Sequence, residues 1–303
     1  MHPMKTTLRS HPAARLTAIA AALLAAGAAH ANGAVRASEG IGYYVGIDGL
    51  ATFASGTYSG LANPNNGRLT LLHDYGSNHF HGIGSYSYTG PAASAMVRAT
   101  NANNRLPELS RRVSPASSAI PLQAGSGAYA GRWVSTGVPE SAPTHGYSLL
   151  GMASMQSLPS FGAAGNVLYN SSAGRWKTSR ADAQVGLQLV TASAGLTVGM
   201  GSDLDIFAQG NTYALGDSAM LTFLPTFHLA QGAAAGTYSA TLRLVGLGGS
   251  TPAMDGGQFH IDFLAPVPEP QAALLMVLGL AGLALARMRR RQGTAADDTR
   301  STA

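Results

Sequence analysis

Apolar and polar residues alternate in short runs along most of this chain, and glycine, asparagine, serine or proline interrupts each run. Such runs predict strands at GYYVGIDG (42–49), RLTLL (68–72), HFHGIGSYSY (79–88), YSLLGMA (147–153), AQVGLQLVTA (183–192), LTVGM (196–200), AMLTFLPTFHL (219–229), TYSATLRLVGL (237–247) and GQFHIDFLA (257–265). The two-residue period is clearest near the end. Tyr238, Ala240, Leu242 and Leu244 share one face, with Ser239, Thr241 and Arg243 on the other. Phe259, Ile261 and Phe263 likewise oppose His260 and Asp262. No long stretch of the body carries a 3.6-residue period, although 93–101 could form a short helix. Many short strands with turn signals between them predict an all-β, sandwich-like body. The Ser-, Pro- and Gly-rich stretch 109–131 is the place where it could subdivide.

The two ends break this pattern. Lys5, Arg9 and Arg15 precede the uncharged apolar run 16–29, and Ala29-His30-Ala31 is a small-x-small cleavage site. These features predict a signal peptide over 1–31, removed by signal peptidase, with the mature chain starting at Asn32. At the other end, Pro268-Glu269-Pro270 is followed by an almost pure Ala, Leu, Gly, Val and Met run and then by Arg287, Arg289, Arg290 and Arg291. This predicts a short membrane helix over 271–288, held at its cytoplasmic end by the arginines, with a polar tail at 292–303.

The formal charge of +5 belongs to these ends. Between 32 and 267, eleven Lys and Arg balance eleven Asp and Glu, so the body has no basic stripe for nucleic acid. With no cysteine, the body has neither disulfides nor thiolate ligands, and any metal site must use nitrogen and oxygen.

The ordered sequence of Pro268-Glu269-Pro270, apolar helix and arginine cluster resembles the PEP-CTERM sorting segment of Gram-negative bacteria, here spanning 267–291. That resemblance implies an inner-membrane-anchored precursor processed by an exosortase, then a periplasmic, surface or extracellular-matrix product. The body stretches YYVGIDGLATFASGTYSGLANPNNGRLTLL, NHFHGIGSYSYTG, NNRLPE, GRW, AAAGTYSATLRL and GQFHIDF resemble the PEP-CTERM family repressed by the zinc-uptake regulator Zur. This second resemblance implies expression under zinc shortage and supplies no catalytic mechanism.

The stretch LLHDYGSNHFHGIG gathers three of the nine histidines. If 68–73 and 79–84 are hairpin strands joined by the loop 74–78, His73 faces His79, and His81 lies on the same face. Three imidazoles, with Asp74 as the nearest carboxylate, would then suit Zn²⁺, although copper or nickel would accept the same donors. A strand His-x-His on its own is equally a polar sheet face, with Tyr75, Phe80, Tyr86 and Tyr88 packing around it. His228 and His260 read as hydrogen-bonded sheet residues, the latter with Asp262 as a neighbouring carboxylate. Asp203 and Asp205 read as a turn rather than a Ca²⁺ pair. Trp133 and Trp176 end two GRW triplets and read as packing anchors.

No nucleophile elbow, zincin motif or phosphate loop is present. The body glutamates Glu39, Glu108 and Glu140 are all distant from the histidines in sequence. The expectation is therefore an exported, exosortase-sorted β protein that binds or buffers zinc. The alternatives are a structural surface or matrix protein without metal and, more remotely, a metallohydrolase.

Overall fold

The structure, a computed structural model, describes residues 34–76, 78–108, 119–135, 150–180 and 182–266, with Leu280, Leu283 and Arg287 beyond them. The expected signal peptide, its cleavage site at Ala29 and Ala31, Pro268-Glu269-Pro270 and Arg289 to Arg291 lie outside the described residues, and the expected membrane helix enters them only at those three helical positions. Among the described residues, no helix is long and apolar enough to cross a membrane.

The body is mostly β. Its strands are β1 (Tyr43–Ile47), β2 (Leu69–Tyr75), β3 (His79–Ile83), β4 (Ser87–Thr89), β5 (Met96–Arg98), β6 (Arg105–Leu106), β7 (Ile120–Ala124) and β8 (Arg132–Ser135). They continue with β9 (Met152–Ser154), β10 (Gln184–Ala192), β11 (Thr197–Gly199), β12 (Thr212–Asp217), β13 (Thr222–Phe223), β14 (Thr226–Ala230), β15 (Gly236–Gly248) and β16 (Gln258–Ala265). A five-stranded sheet runs β13-β9-β1-β2-β3, and a nine-stranded sheet runs β11-β14-β8-β7-β16-β15-β10-β12 with β6 also paired to β16. Strand β7 lies within the stretch expected to subdivide the body, and it joins the larger sheet between β8 and β16.

The two sheets pack on one apolar core. Tyr43, Val45, Ile47, Leu69, Leu71 and Ile83 of the smaller sheet enter it with Val185, Leu187, Leu242, Leu244, Phe259 and Phe263 of the larger. Alternation explains the split: Tyr44, Leu72 and Phe80, one residue out of phase, face a second cluster on the opposite side. That side is covered by a 3₁₀ segment, Met155–Phe161, leading into α1 (Gly162–Asn170), through Met155, Leu158 and Leu168, and by Trp176 beyond them. The smaller sheet is therefore covered on both faces, and β1 accordingly reads YYVGI, buried throughout.

One expectation is corrected here, and one helix had no counterpart in the pattern. The helix expected over 93–101 is a single 3₁₀ turn, Ala92–Ser94, followed by β5, because Met96 to Arg98 pair with β4 as an exposed two-stranded ribbon. The helix α1 carries little periodic signal, as only Gly165 and Leu168 in GAAGNVLYN are buried.

Candidate functional site

The β2–β3 hairpin forms, but in a different register from the expected one. Asp74 and Tyr75 continue the ladder instead of turning, so Tyr75 pairs with His79 and His73 with His81. Strand β2 ends at Tyr75 and β3 begins at His79, and Gly76 leaves β2 with φ 68°. The offset from expectation is two residues, an even number, so each side chain keeps its predicted face. His73, Tyr75, His79 and His81 thus continue the row of Leu69, Leu71 and Ile83 beyond the end of the core.

Asp74 does not join them. One step out of phase, it points to the other face, where its Oδ2 accepts a hydrogen bond from the Val35 N–H at 2.7 Å. The carboxylate that does reach the histidines is Glu108, two residues past β6. The parallel pairing of β6 with β16 (Arg105 with His260, Leu106 with Ile261) delivers it there. Glu108 is 2% exposed. Its Oε1 and Oε2 lie 2.8 and 3.0 Å from His81 Nδ1, its Oε2 lies 3.4 Å from His73 Nδ1, and its Oε1 also accepts from Asn103 Nδ2. The buried His73 ring packs 5.1 Å from that of Tyr43.

On the solvent side of His81 the arrangement changes. His79 Nε2 lies 3.2 Å from His81 Nε2. The Nδ1 atom of His79 is hydrogen-bonded to Asn78 Oδ1, and that of His81 faces the Glu108 carboxylate. Both partners are oxygen acceptors, an arrangement that favours the proton on Nδ1 of each ring, and the neutral rings then turn a lone pair on Nε2 toward each other. Two lone pairs at this distance repel unless a cation lies between them, either a shared proton or a metal ion. Two ligands of a tetrahedral Zn²⁺ at ~2.0–2.1 Å are themselves about 3.3 Å apart. Tyr75 stiffens the arrangement by stacking on His81, with centroids 4.2 Å apart and planes at 11°. The carboxylate on Nδ1 with a free Nε2 beyond is the outer-shell pattern that orients ligating histidines.

The three-histidine set expected from the sequence is thus split by the ring of His81. His79 and His81 converge through Nε2, whereas His73 lies with Glu108 on the Nδ1 side. Among the described residues, no group of three or more His, Asp or Glu takes up a metal-holding arrangement.

Comparison with protein-family models, with curated proteins and with solved structures gives no match.

The remaining candidates are satisfied locally. His228 is buried, with Nε2 donating to the Leu204 carbonyl at 2.7 Å and Nδ1 facing Arg132 at 3.3 Å. Burial lowers its pKa below the usual histidine value, partly opposed by the Leu204 bond and reinforced by the Arg132 charge. Burial, then Arg105, lowers that of His260, which bonds Thr241. Asp262 accepts from Arg105 and Ser239, and its charge partly opposes the lowering at His260. Asp203 and Asp205 accept from backbone N–H groups two residues ahead, as turn residues do. Trp133 donates to the Gln231 carbonyl, and Trp176 is packed in the second cluster.

Proposed function

We propose that this chain is an exported, exosortase-sorted protein that binds and buffers zinc at an open site made by His79 and His81. The observation that carries the reading is the pair of Nε2 atoms at 3.2 Å, each with its Nδ1 already committed to an oxygen acceptor. Two imidazole ligands leave the other coordination positions to water or to an incoming ligand. Closed structural sites use four protein ligands, so a two-ligand site suits exchange rather than permanent retention. Glu108 supports the role by fixing the tautomer and plane of His81. Export rests on the signal-like start and the Pro268-Glu269-Pro270 tail with Arg287, Arg289, Arg290 and Arg291.

A second reading has a specific basis: a proton shared between the two Nε2 atoms would account for the same contact in a structural surface protein without metal. For a metallohydrolase, Glu108 is poorly placed as a general base, because it occupies the Nδ1 side of His81. Zinc titration of the purified full chain, followed by metal analysis after dialysis, separates the readings. Stoichiometric zinc that disappears in the His79→Ala, His81→Ala double variant is the expected result. Zinc content unaffected by that variant, or none in the unaltered protein, rejects the proposal.

A further inference from the structure

The His79–His81 pair supplies half of what a tetrahedral Zn²⁺ takes, and its place in the fold decides what can supply the other half. Both rings stand at the start of β3, the outermost strand of the five-stranded sheet, beside the hairpin end. Gly76, Asn78 and His79 are exposed, and the His81 side chain keeps 30% of its surface in solvent. His73 and Glu108 are buried on the Nδ1 side of His81, so neither reaches the Nε2 side. Among the described residues, no third His, Asp or Glu joins the pair as a ligand.

A second copy of the chain offers the same pair. Two imidazoles whose Nε2 atoms lie 3.2 Å apart define one edge of a tetrahedron around zinc. A two-fold axis through the metal turns that edge into the opposite one. Two identical pairs therefore complete a four-imidazole shell without rearranging either, under the commonest symmetry of homo-oligomers. Charge does not oppose the approach. From Tyr75 to Ile83 the hairpin end contains no Asp, Glu, Lys or Arg, so two neutral ends meet across one dication.

Ordinary strand addition at this edge is blocked further along. The Gly82 carbonyl accepts from Asn101 Nδ2 at 3.1 Å, and the Gly84 N–H donates to the Asn103 carbonyl at 3.0 Å. The segment 101–103 thus covers the outer side of β3 beyond His81. Opposite edges of a tetrahedron are also perpendicular, which crosses two hairpins at the ion instead of aligning them for a ladder.

Resting on the zinc reading of His79 and His81, we propose that the same two histidines of a second copy complete the site, so that one zinc ion bridges a symmetric dimer. Two hairpin ends meeting at one ion bury well under the roughly 1,000 Å² that a metal-free interface needs, so the copies separate when zinc leaves. Zinc uptake is then linked to chain concentration: crowded chains hold the ion and dispersed chains release it.

The purified full chain is stripped with EDTA, moved to chelator-free buffer and titrated with zinc chloride while sedimentation velocity follows its mass. The mass should double as zinc approaches one ion per two chains and fall back when EDTA is restored. X-ray absorption at the zinc edge should count four imidazole nitrogens at ~2.0–2.1 Å in the unaltered protein. His79 is exposed, so His79→Ala should leave far-UV circular dichroism unchanged while weakening zinc-driven association by about tenfold or more. One zinc per chain with no rise in mass would reject the bridge and leave the zinc reading standing. Zinc-driven association that survives His79→Ala would also reject the bridge, because the contact would then lie elsewhere. No zinc bound by the unaltered chain would reject both.

Discussion

His73 and His81 stand directly opposite each other across the β2–β3 ladder and direct their Nδ1 atoms to the same buried carboxylate, at 3.4 and 2.8 Å from Glu108. One acidic side chain thus holds two strands' imidazoles by the same ring position. Its consequence differs for each: His73 stays inside with Tyr43, whereas His81 has its Nε2 left facing outward to His79.

Glu108→Gln tests whether that carboxylate matters to metal. The amide keeps the volume and one acceptor but lacks the charge, and its NH₂ group can face a histidine that needs an acceptor. Loss of an outer-shell partner of this kind typically lowers metal affinity 10–100-fold. Zinc competition against a chromophoric chelator should show a fall of that size while far-UV circular dichroism stays the same. Unchanged affinity would mean that Glu108 has only a packing role.

How much of this was legible beforehand depends on distance along the chain. The alternation in 237–247 and 257–265 locates β15 and β16 to within a residue or so, because one face of each is buried and the pattern has no competitor. The hairpin is visible too, but its register is not: Asp74 and Tyr75 read as turn residues, whereas Asp74 is drawn into the ladder opposite Phe80 and its carboxylate is satisfied by Val35. Glu108 lies 27 residues from His81 and reaches it through a parallel pairing with a strand near the end of the body, which no local pattern encodes. Trp176 gave a correct packing signal.

Acid should weaken the fold through His228. Its folded pKa lies below the ordinary 6.5, mainly because burial disfavours the charged ring. Between the folded and unfolded values the unfolded chain binds the extra proton, so stability rises with pH across that window. The contribution is fully present above about pH 6.5 and is lost as pH falls through the folded pKa. His260 acts in the same direction. Urea midpoints measured at pH 7.5, 6 and 5 should decline steadily, and His228→Gln should flatten the decline even if it lowers the midpoint at pH 7.5. An identical pH slope in the variant would remove His228 from the explanation.

Among the described residues, Asp48 is the most deeply buried acid, with no exposed surface. It accepts from Arg175 through Nε at 2.9 Å, from Asn63 Nδ2 at 2.8 Å and from the Leu50 N–H at 3.0 Å. Arg175 then stacks over Trp176 at 4.4 Å. Asp48→Ala strands the guanidinium and two further donors, and breaking a buried pair from one side costs about 3 kcal/mol or more. Urea unfolding should show that loss. A change below about 1 kcal/mol would mean that Arg175 turns out to solvent without penalty.

The close backbone approach between the end of β3 and the start of β16 tests how the two layers are held. Gly84 follows β3 with φ 63°, and a Cβ there would stand 2.5 Å from the Gln258 carbonyl oxygen. A Cβ on Gly257 would stand 1.7 Å from the Gly84 oxygen and 2.7 Å from that of Ala99. None of these neighbours is a side chain that could swing aside; each is backbone. Gly257→Ala must therefore push the start of β16 away from the end of β3, loosening Ile83 and Phe259 in the shared core. Overpacking of this sort costs about 3 kcal/mol. Gly256→Ala would meet the Leu69 oxygen at 2.6 Å and should be less severe. Thermal unfolding should rank the pair with Gly257→Ala the lower; equal midpoints would mean that the backbone relaxes at this junction and that the layers are joined by side-chain packing alone.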